Sequence, residues 1–197
     1  MQPLILASTS TYRHELLNRL YLPFLTQAPD CDESVQRGET AKALVLRLSK
    51  EKAESVKYLH PGAIIIGSDQ VAEMDGKIIG KPDSHVAAVQ QLTYLSGRSV
   101  TFNTGLSVYN TATGSIQSDN INTHVKFRVL NRKKIEAYLS AEQPYDCCAS
   151  FKSEGLGITL VRQIDSKDPT ALIGLPLIRL TEILAQIGIE SPAKSSQ

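Results

Sequence analysis

The chain has 197 residues, of which 42% are hydrophobic and 21% charged, enough apolar material for a real core in one domain and too much for gross disorder. Its net charge of +1 excludes a general nucleic-acid binder, which needs a basic excess or stripe, while leaving room for a small anion held by a few local cations. No apolar run approaches the roughly 20 residues that span a bilayer, so no membrane partner is expected. The start, Met1-Gln2-Pro3, lacks the basic region of a signal peptide. Cys31 and the adjacent Cys147 and Cys148 form neither a disulfide framework nor a zinc spacing. They are expected as reduced thiols of a soluble cytoplasmic protein.

In chain order, Leu4 to Ala7 is a short continuous apolar run and predicts a buried strand. A polar loop follows, with Ser10 placed to cap a helix that carries Leu16, Leu17 and Leu20 on one face. Thr40 to Leu59 predicts a long helix with the stripe Ala41, Leu44, Val45, Leu48, Val56 and Leu59, ended by His60-Pro61-Gly62. Ala63 to Ile66 predicts a second buried strand, ending at Gly67-Ser68-Asp69, and Val71 to Ile79 a hairpin turning at Asp75-Gly76. Ser84 can cap a helix that stops near Gly97. Val100 to Val108 and Val125 to Val129 alternate as half-buried strands and are expected to pair. A helix over Lys133 to Ala141, a strand over Gly157 to Val161, and a last helix opening at Pro176 and closed by Gly188 complete the pattern. Strand–helix alternation mixed with hairpins predicts a mixed central sheet in an α/β (α+β) architecture: one domain over 1–190, followed by a frayed tail over 191–197.

Several charged groups stand where a plain core or surface does not want them. Lys52 lies on the apolar stripe of its helix, four residues from both Leu48 and Val56, where it is costly unless paired or reaching into a site. Asp69 is placed at the carboxyl end of a buried strand with no helix after it to cap, and such strand ends collect ligands. The loop Ser8-Thr9-Ser10-Thr11-Tyr12-Arg13 joins a strand to a helix N-terminus, a place that suits phosphate, although there is no Walker-type glycine loop. Glu33 and Asp69 with Arg13, Lys52 and Lys81 make a set of oxygen ligands and cations matching a divalent metal and a triphosphate.

These motifs together resemble the Maf family of nucleoside triphosphate pyrophosphatases, from about Leu4 to Leu184. The resemblance rests on Leu-Ala-Ser-Thr-Ser-Thr-Tyr-Arg at 6–13, Asp32-Glu33, Glu51-Lys52-Ala53, Gly67-Ser68-Asp69-Gln70-Val71, Gly80-Lys81-Pro82, Phe151-Lys152-Ser153-Glu154-Gly155 and Gly174-Leu175-Pro176-Leu177. It implies a Maf/ITPase-like fold of two lobes with the active-site cleft between them, a divalent cation (Mg²⁺ or Mn²⁺) as cofactor, a homodimer, and a nucleoside triphosphate as substrate. Tyr12, Gln70 and Glu154 resemble the subgroup that acts on 7-methyl-GTP; the dTTP/UTP subgroup carries arginine, threonine and glutamine at these places. The resemblance implies Asp69 as the catalytic acid–base residue or a metal ligand, Glu33 as a metal ligand, Ser8, Arg13, Lys52 and Lys81 as phosphate-binding residues, and Tyr12, Gln70 and Glu154 as specificity residues. Alternatives are the same chemistry on dTTP, UTP or other modified nucleotides, or a nucleotide-binding regulator of division. The chain departs from the family's pattern at Thr11, where proline is usual, and at Ala149, where the subgroup often has glycine; if that glycine supplies a positive φ, alanine strains the backbone.

Overall fold

The computed structural model describes residues 2–191. Strands β1 (Leu4–Ala7), β2 (Phe24–Gln27), β3 (Ile64–Met74), β4 (Lys77–Ile79), β5 (Ser99–Asn110), β6 (Ser115–Phe127) and β7 (Val161–Ser166) are accompanied by helices α1 (Thr11–Asn18), α2 (Ala41–Ser55), α3 (His85–Leu95), α4 (Arg132–Glu142) and α5 (Leu177–Gln186). The strands form a seven-stranded sheet in the order β2-β1-β3-β5-β6-β7, with β4 pairing β3. β1 runs parallel to β2 and β3, while β3–β4 and β6–β7 are antiparallel, so the sheet is mixed as expected. The family-like architecture of a central mixed sheet flanked by helices is thereby present.

The chain divides into two compact units. One gathers the chain up to Asp69 with Thr104–Ile121 and the stretch from Asp168 onward; the other comprises Gln70–Asn103 and Asn122–Lys167. In the first unit, the continuous apolar run of β1 is explained by cover on both faces. Leu4 and Leu6 share one core with Ile64, Ile66, Leu16 and Leu17, and with Leu180 and Leu184 of α5. Ile5, Ala7 and Ile65 face the other way, toward Ala53 and Val56. α2 approaches the strands closely enough that a Cβ at Gly67 would collide with the Ser49 carbonyl, and one at Gly105 with the Val45 carbonyl. These two glycines let the helix lie directly on the sheet. In the second unit, α3 packs beside α4, and Phe151 anchors an aromatic core against Phe102 at 5.8 Å and Phe127 at 5.3 Å between ring centroids.

Four expectations are corrected. The strand expected to end at Gly67-Ser68-Asp69 continues unbroken through Met74, so Asp69 lies inside a long strand and not at a carboxyl end. Ser68 makes this possible, because its buried hydroxyl is satisfied by the carbonyls of Gly105 at 2.7 Å and Gly174 at 2.9 Å. The strand expected over Gly157 to Val161 is a 3₁₀ turn over Leu156–Leu160, and the strand is β7, whose solvent-facing Arg162 to Asp165 hide it from a burial pattern. Val129 is exposed beyond the end of β6. α2 ends at Ser55 and is followed by a short 3₁₀ turn over Lys57–Leu59. The caps Ser10 and Ser84 behave as expected, each accepting a hydrogen bond from a first-turn amide, while Thr40 and Asn131 cap α2 and α4 in the same way. The Asp75-Gly76 turn has positive φ at both residues, as a tight hairpin requires. Of the expected tail, Ser191 donates to the Leu20 carbonyl at 2.6 Å; 192–197 lie outside the described residues.

Candidate active site

Lys52 is the centre of the first unit's site. Its place on the α2 stripe buries it to 5% exposure, and its ammonium sits 2.7 Å from Asp69 Oδ1 and 2.8 Å from Glu33 Oε1. Asp69, at 7% exposure, faces α2 from β3, whereas the Glu33 side chain reaches in from an exposed loop. A buried ion pair of this kind returns little net stability, since desolvating both charges offsets their attraction. Keeping the pair therefore points to chemistry. Of the five groups assembled on charge alone, the structure joins Glu33, Lys52 and Asp69 directly.

Arg13 is placed by a different contact: its Nε donates to the Gly174 carbonyl at 2.8 Å. Ser68 donates to the same oxygen, so one carbonyl ties the α1 loop to the residue preceding Asp69. Gly174 has φ +124°, a conformation that favours glycine. Ser8 is buried and accepts from the Ser10 amide at 3.1 Å, which keeps the loop tight ahead of α1. Tyr12 stands half-buried in the first turn of that helix.

Two residues that the sequence reading passed over build this unit's loops. Arg47 forks onto both oxygens of Glu39 at 2.7 and 2.9 Å, and donates to the carbonyls of Ser34 at 2.9 Å and Asp32 at 3.4 Å, bracketing Glu33. The guanidinium holds the Glu39 carboxyl below the usual carboxylate range. Its spacing one turn before Glu51, to which it is paired at 3.0 Å, was the available signal. Asp168, buried, accepts from the amides of Ile178 at 2.8 Å and Arg179 at 3.2 Å and from the Thr170 hydroxyl at 2.7 Å. It caps α5 from a distance, where Pro176 offers no capping side chain, and so fixes the loop that carries Gly174. All three cysteines are free thiols; burial pushes the Cys31 thiol up, which disfavours a thiolate nucleophile beside Lys52.

The second unit carries the other expected residues. Gln70 follows Asp69 on β3, and its carbonyl accepts from the Cys148 thiol at 3.0 Å. Lys81 is exposed on the loop after β4, where the Gly80 carbonyl accepts from the Ala149 amide at 3.0 Å and from Gln91 Nε2 at 3.2 Å. Glu154 is exposed at the turn before the 3₁₀ segment. Ala149 has φ +57°, so the alanine in the glycine's place does sit in the left-handed region, and Ser150 follows at φ +53°.

The oxygen ligands suit a hard divalent cation, which typically takes one or two carboxylates and completes its shell with substrate phosphates. Among the described residues, no group of three His, Cys, Asp or Glu side chains could cage a metal by itself. Glu33 and Asp69 are the carboxylates that could hold such an ion, with substrate oxygens completing its shell.

A buried acid–ammonium pair, with a loop bearing serine and arginine in the same unit, is suited to offsetting charge on phosphate oxygens. The chain belongs to the Maf-like protein family, which it matches over residues 3–187. It is 54% identical over 192 residues to a 7-methyl-GTP pyrophosphatase of Pseudomonas fluorescens, covering 98% of this chain and all of that protein. Proteins of the same name from Methylobacillus flagellatus and Pseudomonas aeruginosa are 53% and 51% identical, over 96% and 98% of this chain and 99% and 100% of their own lengths.

Proposed function

We propose that this chain hydrolyses 7-methyl-GTP to 7-methyl-GMP and pyrophosphate, clearing a modified nucleotide in the cytoplasm. The observation that carries the reading is the Lys52 ammonium held between Asp69 and Glu33 in a chain so similar to enzymes of that name. A water attacks the α-phosphorus; its oxygen bonds to phosphorus as the bond to the bridging α–β oxygen breaks, and pyrophosphate leaves. Asp69 orients that water and takes its proton. Lys52, Arg13 and Lys81 offset the charge that builds on the leaving group, and the Ser8 hydroxyl donates to a phosphate oxygen. A Mg²⁺ or Mn²⁺ ion held by Glu33 and Asp69 would supply charge stabilisation on the phosphate oxygens. The cationic 7-methylguanine ring stacks on Tyr12, an attraction of about 0.5–2 kcal/mol. Glu154 accepts from the guanine N1–H and amino group, and Gln70 offers a donor and an acceptor. We assign the working form as a homodimer.

The test is pyrophosphate release from 7-methyl-GTP, GTP, UTP and dTTP, with and without divalent metal. The highest kcat/KM is expected for 7-methyl-GTP, and Asp69→Asn should abolish turnover on all four. Preference for dTTP or UTP would overturn the substrate assignment. Unchanged turnover in Asp69→Asn would overturn the catalytic one.

A further inference from the structure

The turn that carries Glu154 is held by two side chains of α4, one helical turn apart on the same face. The Tyr138 ring is buried, and its hydroxyl donates to the Ser150 carbonyl at 3.1 Å while accepting from the Lys152 amide at 3.1 Å. One turn on, the Glu142 carboxylate divides its oxygens across the Glu154 turn. Oε1 pairs with the Lys152 ammonium at 2.8 Å, and Oε2 accepts from the Leu156 amide at 2.6 Å. The anchors at 152 and 156 flank Glu154 symmetrically. Gly155 leaves room for this carboxylate, which a Cβ there would meet, and Gly157 for the Lys152 carbonyl that closes the turn. The Glu142 side chain is only 12% exposed, so a carboxylate has been taken largely out of water to make these bonds. Closing a surface turn does not need that arrangement. Charge-assisted bonds on both sides of Glu154 fix where its backbone stands.

We infer that Tyr138 and Glu142 are positioning residues for base selection, acting through Glu154 by fixing the turn that presents it. This rests on the reading of Glu154 as a base-contacting residue. The position of that carboxylate decides whether a guanine edge is met at hydrogen-bond distance; a nucleotide lacking guanine gains nothing from it.

The experiment measures kcat and KM for 7-methyl-GTP and for UTP in wild type, Glu142→Ala, Tyr138→Phe, Glu154→Gln and the double variant Glu142→Ala/Glu154→Gln. Glu142→Ala is expected to lower the 7-methyl-GTP to UTP ratio of kcat/KM about tenfold, mainly through KM for 7-methyl-GTP. Its UTP values should stay within about twofold of wild type. In the Glu154→Gln background the same substitution should change the ratio no further, because there is no longer a carboxylate to position. Tyr138→Phe removes one hydroxyl, leaves the ring in the core, and should shift the ratio in the same direction; it carries the test if Glu142→Ala does not fold. A Glu154→Gln variant with the wild-type ratio would overturn the reading of Glu154 and the inference with it. A changed ratio in Glu154→Gln with none in Glu142→Ala or Tyr138→Phe would overturn the inference alone. So would equal losses on both nucleotides, the mark of a structural role.

Discussion

In the first unit the paired charges are sunk into the sheet. Lys52 and Asp69 are 5% and 7% exposed, and each is delivered by a regular element, α2 and β3. In the second unit the expected residues Lys81 and Glu154 stand in solvent on turns, and the half-buried carboxylate of Glu142 supports one of those turns. The first arrangement fixes geometry through the core, so function and stability are coupled there. The second fixes it through hydrogen bonds to the backbone of a turn, which can be altered without disturbing the core.

The sharpest way to break this contrast is at Lys52. Lys52→Ala leaves Asp69 as an uncompensated buried charge, which costs about 3–5 kcal/mol. Urea denaturation should show that loss directly, together with loss of measurable turnover. Adding Asp69→Asn removes the stranded charge and should recover much of the stability without recovering activity. A Lys52→Ala protein of wild-type stability would mean that the pair is not coupled to the core in the way its burial implies.

The difference between the units also decided what could be read in advance. Lys52 and Asp69 interrupt apolar patterns, and such interruptions are visible along a single chain because burial of the neighbours is regular. The misplacement of Asp69 at a strand end has a physical reason. Gly67 and Ser68 look like a strand's punctuation, but Gly67 is there to admit the α2 backbone, and the Ser68 hydroxyl is satisfied by carbonyls far along the chain. β2 was invisible because an edge strand with two exposed central residues has no apolar run. Asp168 was unread as a site builder because its partners are chiefly backbone groups, whose positions only the fold sets; Arg47 and Glu142 each divide theirs between a charged side chain and the backbone of a loop. The resemblance supplied Glu154, but nothing in the pattern of residues pointed from Glu154 to Tyr138 and Glu142.

A smaller effect tests the second unit's independence through pH. The Lys152 ammonium and the Leu156 amide hold the Glu142 carboxyl below its ordinary value, and Glu142 in turn raises Lys152. A carboxyl depressed in the folded state stabilises the fold above its unfolded value and loses that contribution as pH falls through the folded one. A raised lysine does so below its own unfolded value and loses it as pH rises past the folded one. Glu142→Gln should therefore be less stable than wild type at neutral pH, by about 2 kcal/mol. The gap should close as the medium is acidified below the ordinary carboxylate range. A gap independent of pH would mean that the pair is held by packing and not by charge.

The smallest expected effect has the opposite sign. Ala149 and Ser150 both occupy the left-handed region, at φ +57° and +53°, and the segment is pinned there by the Ala149 amide on Gly80 and the Ser150 hydroxyl on Gln91 at 2.6 Å. A side chain in that region costs about 1–2 kcal/mol, and glycine avoids this. Glycine also adds freedom to the unfolded chain, which returns about 0.4–1 kcal/mol of the gain. Ala149→Gly should therefore raise the urea midpoint slightly, by at most about 1.5 kcal/mol in stability, with the m-value unchanged. Because Cys148 and Ser150 connect this segment to Gln70 and Gln91, relief of strain without movement should leave the ratio of 7-methyl-GTP to UTP turnover as it was. A gain in stability with a changed ratio would show that the strain itself helps to place Gln70. A loss of stability would show that the buried Ala149 methyl contributes more through packing than its backbone gives up.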